Sequence, residues 1–502
     1  MDAGTRVTLK VEFAPYNQVF QQLLDPSSIL SKNETGINLV LVRFGDWAKS
    51  ADKSIMETEI EQNVQDFIPA LMAAVQQKTY IVCVCPTSPN HRHWEDSLAS
   101  SLKGMESVYV IKASDIITHY PVSRIEDPHA EETGHIPYTS AFFTALGTLI
   151  ARKIHATKRN PYKVIMLDCD ETLWRGVCAE DGPLGLSIDA PHQALQVFMV
   201  ARQQAGMLLC LCSENREADV FAVFEQRTDM PLKREHLVSW RINWRHKSEN
   251  LKSLAEELDL GLSSFIFLDD SPLECVEVRA HCPAVTTLQL PGDSDRIPRF
   301  LDHVWAFDQL KTTREDQQRT SYYRQNLQRD CWRREALTFA DFLAGLELKI
   351  EISAMTASQL PRVSQLTQRT NQFNFTTIRR TEAEVRHVCE SDPLESLVVK
   401  VEDRFGDYGL VGVILFESLA DTIRVDTFLL SCRTLGRGVE HRMLAHLGQI
   451  AAERQLKSIE IPYIPTRGIK SSWISWSMSA ANSNNPFLKV GNSTSPSIWC
   501  WN

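Results

Sequence analysis

The chain has 502 residues, 43% hydrophobic and 23% charged, which is the balance of a globular protein and excludes a disordered or collagen-like one. Its 53 Lys and Arg against 63 Asp and Glu leave a formal charge of −10, so a basic surface for nucleic acid is not expected. No apolar run approaches the ~20 residues of a bilayer span. The opening MDAGTRVTLKVEF has no charged segment ahead of an apolar core, and the 12 cysteines include no CxxC pair. These features point to free thiols and a cytoplasmic, multidomain protein with no membrane partner.

Residues 1–157 offer three short β-branched runs, 37–44 (INLVLVRF), 80–85 (YIVCVC) and 107–111 (SVYVI), separated by longer, partly helical stretches. That alternation predicts an α/β layer with a parallel sheet. An apolar helix over 141–154 and the basic linker 158–161 close the region.

Residues 158–310 repeat the pattern with stronger runs. Val164–Leu167 ends in Asp168, Met207–Cys212 ends in Ser213, and Phe265–Leu268 ends in Asp269 and Asp270. Continuous apolar runs of this length read as strands buried on both faces of a parallel sheet. Leu251, Leu254, Ala255 and Leu258 have the spacing of an amphipathic helix, with Gly261 expected to end it. Ser271 followed by Pro272 is an N-cap with proline at the first helical position, so a helix starts directly after the two aspartates.

Residues 311–338 are polar and helix-prone, with Arg314, Arg319, Arg324 and Arg329 recurring every five residues. A step of five winds around a helix, which predicts a solvated connecting helix. Residues 339–470 predict strands near 348–352, 397–401, 410–416 and 423–430 and helices near 358–370, 382–389 and 439–453. Residues 471–502, rich in Ser, Asn and Trp without a period, predict a poorly ordered tail.

The chemistry concentrates at three strand ends. Asp168-Cys169-Asp170-Glu171-Thr172 is a DxDxT arrangement, and Ser213 and Asp269-Asp270 reach the same sheet edge, where open α/β sheets bind ligands. One carboxylate can take a phosphoryl group, and a second, two residues on, can protonate the leaving oxygen and later activate water. Mg²⁺ suits Asp168, Asp170, Asp269 and Asp270, because it uses one or two carboxylates together with substrate phosphate. Thr172, Ser213 and Lys247 supply candidate phosphate contacts. Two cysteines lie beside this motif. Cys178 sits in the flap after the first strand and Cys169 between the two aspartates; either can act as a thiol nucleophile or as a small apolar filler.

With these residues in place the chain resembles the haloacid dehalogenase-like (HAD) superfamily of Mg²⁺ phosphotransferases. Longer motifs extend the resemblance from about residue 10 to about residue 466. They are APYNQVFQQLL at 14–24, GHIPYT at 134–139, LDCDETLW at 167–174, FLDDSP at 267–272, RTNQFN at 369–374 and DRFGDYG at 403–409. All are similar to the FkbH-like (subfamily IIIC) glyceryl transferases and phosphatases of polyketide biosynthesis. The resemblance implies a Mg²⁺-dependent enzyme that takes D-1,3-bisphosphoglycerate, removes phosphate and loads a glyceryl thioester onto the phosphopantetheine arm of an acyl carrier protein. It also implies acyl transfer through Cys178 or Cys169. One departure is Glu214-Asn215, where the family commonly has Lys-Asn.

The resemblance further implies three folded parts: an SGNH-hydrolase-like α/β scaffold, a central Rossmann-like HAD sheet and a GNAT-like α+β domain. The first lacks a Gly-Asp-Ser turn, so no serine nucleophile is evident, and His135 reads as structural. In the third, Arg433, Gly436 and Gly438 form an R-x-x-G-x-G turn that resembles an acyl-CoA or pantetheine-binding loop. The alternatives are a plain HAD phosphatase acting on a small phosphorylated metabolite and a non-catalytic docking protein for a carrier protein.

Overall fold

The computed structural model describes residues 10–463, except 35, 49, 51, 76–77, 88–91, 106, 160, 311–316, 371–372 and 392–393, together with Leu488–Val490 and Ser497–Trp501. The chain divides into two units, Met1–Thr320 and Ser321–Asn502.

The first unit holds two parallel sheets. In one, β1 (Ile37–Val42), β2 (Thr79–Val84) and β3 (Val108–Ile111) lie in the order β1-β2-β3. The central strand β2 is buried at five of six positions, as an all-apolar run requires. Helices Lys53–Val75 and Arg92–Leu102 cover one face, bringing Phe67, Leu71 and Leu98 into its core. Helix Ser140–Lys158 covers the other with Phe142, Leu146 and Leu149.

The second sheet has the order β6-β5-β4-β7-β8, with β4 Val164–Leu167, β5 Leu208–Ser213, β6 Leu237–Ile242, β7 Phe265–Asp269 and β8 Thr286–Gln289, all parallel. From β4 the chain winds outward to β5 and β6, then crosses back to β7 on the other side. The switch point therefore lies between β4 and β7, where ligands of such sheets bind.

The three strands expected here are present, and β6 and β8 are additional. In β6 the run is broken by Ser239, Trp240 and Arg241, and Ser239 Oγ donates to Glu257 at 3.0 Å. Strand β8 (TTLQ) lies at the sheet's edge and is not fully buried, so it carries no apolar signature. The helix Lys247–Glu257 corrects a detail: Asp259 takes the left-handed conformation after it (φ 50°), whereas Gly261 is extended with φ −69°. Aspartate is one of the few residues besides glycine that adopt this region readily.

The second unit is α+β, as expected. Strands β9 (Lys349–Ala354), β10 (Glu395–Asp403), β11 (Gly406–Ser418) and β12 (Thr422–Leu430) form an antiparallel series, and β13 (Ser458–Tyr463) adds parallel to β12. Helix Val439–Glu453 packs Val439, Met443 and Leu447 into the same core. Within 471–502 the described segments are both strands, β14 (Leu488–Val490) and β15 (Ser497–Trp501), and β15 pairs antiparallel with β13. The remainder of that expected tail lies outside the described residues.

Helix Arg319–Glu335 is not simply solvated. Arg329 is 2% exposed, and its Nε and Nη2 donate to the two Asp403 oxygens at 2.7 and 2.8 Å. Tyr408 Oη also donates to Asp403, at 2.7 Å, so the buried ion pair is well hydrogen-bonded. Among the described residues, no helix is long and apolar enough to cross a membrane.

Candidate active site

Asp168 follows the central strand β4, and its N–H donates to Leu268 O of β7 at 3.0 Å, tying the two strands at the switch point. Asp269 ends β7 and Asp270 follows it. Asp168, Asp269 and Asp270 each offer an oxygen, and these oxygens lie within 4.8 Å of one another. Three carboxylates that close repel unless a cation stands among them.

Lys247, the first residue of its helix, supplies part of that charge. It is buried, its Nζ contacts Asp168 Oδ1, donates to Cys212 O at 2.8 Å and lies 3.4 Å from Asp269 Oδ2. Burial works against the Lys247 charge, but Asp168 and its neighbours outweigh it and hold the amine protonated. Burial, then the Asp168 charge, pushes the Asp269 carboxyl up to about 7, and the same two causes raise Asp270. Asp269 Oδ1 accepts from Ser271 N–H at 2.8 Å, while Oδ2 is buried with no hydrogen bond. A carboxylate oxygen with no hydrogen bond, held only by the Lys247 charge and set beside two other acidic oxygens, fits a hard divalent cation.

Asp170 stands outside this trio. Its Oδ1 accepts from Trp174 Nε1 at 2.8 Å and Cys178 N–H at 3.1 Å, and its Oδ2 accepts from Asn215 Nδ2 at 3.0 Å. The carboxylate placed among the metal ligands by its spacing is thus turned toward the flap by these three donors. Asn215 ties the group together: its Nδ2 also reaches Ser213 Oγ at 3.1 Å, and its Oδ1 accepts from Cys178 Sγ at 3.4 Å. Cys178 Sγ lies 3.9 Å from Asp170 Oδ2. Cys178 is 3% exposed, and burial, followed by the Asp170 charge, pushes its thiol up to about 12. It therefore needs a base to become a nucleophile, and Asp170 is adjacent.

The flap has its own conformational demands. Glu171 is left-handed (φ 55°) and accepts from Gly176 N–H at 2.7 Å. A Cβ at Gly176 (φ 105°) would meet Asp181 Oδ2 at 2.7 Å, so the turn into helix Cys178–Gly185 requires glycine there.

Other sequence candidates are placed differently. Cys169 is wholly buried in the apolar core, and its thiol is raised well above the usual range, first by that burial. Thr172 is also wholly buried, and its Oγ1 donates to Asp270 Oδ1 at 3.3 Å, so it orients an acid rather than presenting itself to phosphate. His135 is exposed at a helix C-cap. Cys83, Cys85, Cys210 and Cys212 are buried in their strand regions, as expected.

The turn carrying Arg433, Gly436 and Gly438 lies in the second unit. Gly436 and Gly438 are left-handed (φ 72° and 83°), which the tight entry to helix Val439–Glu453 requires. Gly436 N–H donates to Glu440 Oε1 at 3.2 Å, so this donor is already engaged by an adjacent carboxylate, whose Oε2 is buried without a hydrogen bond. Asn215 is the residue that spacing did not single out, because an amide beside Ser213 carries no charge or metal signature.

No family model and no curated protein matches the chain. Among solved structures, it is similar to the N-terminal part of BF1531 from Bacteroides fragilis, which contains a phosphatase domain and is complexed with Mg. Identity is 21%, over 60% of this chain and 85% of that one, with a TM-score of 0.50. The likeness is one of fold. The ribosomal-protein-S18-alanine N-acetyltransferase of Escherichia coli is also matched, at 12% identity over 30% of this chain and 90% of that one, with a TM-score of 0.21. The GNAT domain of S. lividans PAT matches at 16%, over 30% and 88%, with a TM-score of 0.24.

Proposed function

We propose that the chain is a Mg²⁺-dependent HAD-type phosphatase that also transfers a glyceryl group from D-1,3-bisphosphoglycerate, through a thioester on Cys178, to the phosphopantetheine thiol of an acyl carrier protein. The observation that carries the phosphatase part is the trio of Asp168, Asp269 and Asp270, with the unbonded Asp269 Oδ2 and Lys247 against it. The magnesium-bound phosphatase domain of the structural neighbour supports the same reading. Asp168, Asp269 and Asp270 would hold the Mg²⁺, which supplies charge neutralisation for a phosphoryl group.

The chain's own residues supply the remaining chemistry. For the phosphomonoester, an Asp168 oxygen attacks phosphorus, the P–O bond to the sugar-acid oxygen breaks, and Asp170 gives that oxygen a proton. Asp170 then takes a proton from water as its oxygen attacks the aspartyl phosphate, releasing inorganic phosphate and restoring both acids. For the acyl phosphate, Asp170 takes the Cys178 proton and sulfur attacks the carbonyl. The C–O bond to phosphate breaks, Asp170 passes the proton on to the leaving phosphate oxygen, and a thioester is left on Cys178. The carrier thiol then attacks the thioester and passes its proton to the departing Cys178 sulfur. Lys247 holds phosphate charge throughout, and Asn215 keeps acid and thiol together.

The test is intact-protein mass after incubation with Mg²⁺ and D-1,3-bisphosphoglycerate, followed by a pantetheinylated carrier protein. A glyceryl adduct on wild type that is absent from Cys178→Ala, with phosphomonoester hydrolysis retained, is the expected result. Phosphate release with no adduct would make the chain a plain phosphatase, a reading that the burial of Cys178 favours.

A further inference from the structure

The carboxyl edge of the first sheet carries a cavity of about 700 Å³, in the size range of small-molecule sites. It opens where β1 and β2 end, beside Phe44 and Val84 to Thr87, against the start of helix Ala113–His119 and the segment Val122 to Pro128. This is the edge at which parallel sheets of this kind bind ligands.

Its lining has a definite polarity. Phe44, Val84, Ile117, Val122 and Ile125 give apolar walls. Glu95, 6% exposed, stands in one wall, with its Oε1 held by Ser114 N–H at 3.3 Å and Ser114 Oγ–H at 3.1 Å. Two guanidiniums, Arg92 and Arg124, also line the space; both residues are exposed, and neither makes a side-chain hydrogen bond or an ion pair within 4 Å among the described residues. Asp96, one turn from Arg92, is instead paired with Lys112 at 2.6 Å. No histidine lines the cavity among the described residues, and the Ser114 hydroxyl is committed to Glu95, so a hydrolytic serine is not assembled.

We propose that this cavity is a binding site for a small organic anion, a phosphate or carboxylate whose body carries hydroxyl or amide donors. The anionic end pairs with Arg92 and Arg124, the donors face Glu95, and the apolar walls exclude water from the body. The site is separate from the aspartate trio and stands whether or not the proposed activity does.

The test is isoleucine-methyl NMR on the full chain, titrated with 3-phosphoglycerate, citrate and adenosine monophosphate, and with the neutral glycerol and adenosine. Ile117 and Ile125 report on this cavity and Ile242, beside Ser213, on the other site. At least one anion is expected to shift the Ile117 and Ile125 signals saturably below about 1 mM, without effect from its neutral counterpart. Arg124→Glu should weaken that binding by at least about tenfold while leaving Mg²⁺-dependent phosphate release unchanged. The idea is overturned if no anion gives a saturable shift by about 10 mM, or if the shift survives unchanged in Arg124→Glu. Preference among the three anions separates a phosphate site from a carboxylate site. Because Arg124 is exposed, its replacement leaves the fold intact.

Discussion

The first unit contains two parallel sheets whose carboxyl edges are built from the same kind of strand and filled in opposite ways. At the β4–β7 edge the charges face each other: three carboxylates cluster, two of them paired with one buried lysine, and the residual negative charge calls for a cation. At the β1–β3 edge the cations face open space: two guanidiniums make no ion pair among the described residues, and one buried carboxylate is already held by a serine. Topology chooses where a ligand sits, and the side chains at the strand ends choose its sign.

The comparison is broken most severely by Asp168→Asn, which should lower phosphate release by on the order of 10⁴-fold in steady-state assays, with the fold retained by circular dichroism. Next comes Asn215→Ala. It removes the bonds to Asp170 and to the Cys178 thiol, so kcat should fall by roughly 10- to 100-fold with little change in KM. Glyceryl loading should suffer together with hydrolysis, because in the proposed mechanism Asp170 serves both; a variant that lost neither would show the amide to be a bystander.

Asp269→Asn sharpens the contrast from the stability side. The Asp269 pKa is raised in the fold to about 7, so the folded chain holds a proton that the unfolded chain has released. Metal-free stability therefore falls as pH rises from about 4 to about 7 and levels off above that range. The asparagine variant should reduce that slope, to which the raised Asp270 also contributes, and raise the metal-free melting temperature by about 2–4 °C at pH 8, while losing Mg²⁺ affinity in calorimetry. The smallest effect belongs to Cys169→Ala. As a core filler it should cost about 1 kcal/mol in denaturant melts and leave activity within about twofold.

Much of this was legible in the sequence because the relevant signals are local. An apolar strand that stops at an aspartate announces both the sheet and its active edge, and β4, β5 and β7 stand where those runs lie. What stayed hidden depends on contacts remote in sequence. Strand β6 hides behind Arg241, which is paired with Glu257 at 2.7 Å. Arg329 looked solvated because its partner, Asp403, is 74 residues away. Asp170 matched a metal ligand by spacing, yet Trp174, Cys178 and Asn215 direct its oxygens elsewhere. The cavity at the β1–β3 edge is assembled from five separated segments, none of which has a motif.

The lysine seated on Asp168 also sets an electrical constraint on what can enter. With all three carboxylates ionised and Lys247 protonated, the cluster carries two net negative charges. A divalent ion brings that sum to zero, a monovalent ion leaves one charge over and a trivalent ion reverses the sign. Since the Asp269 carboxyl is pushed up to about 7, the ion also displaces a proton near neutrality. A divalent ion would therefore balance the cluster's charge, and its affinity would rise with pH across the neutral range.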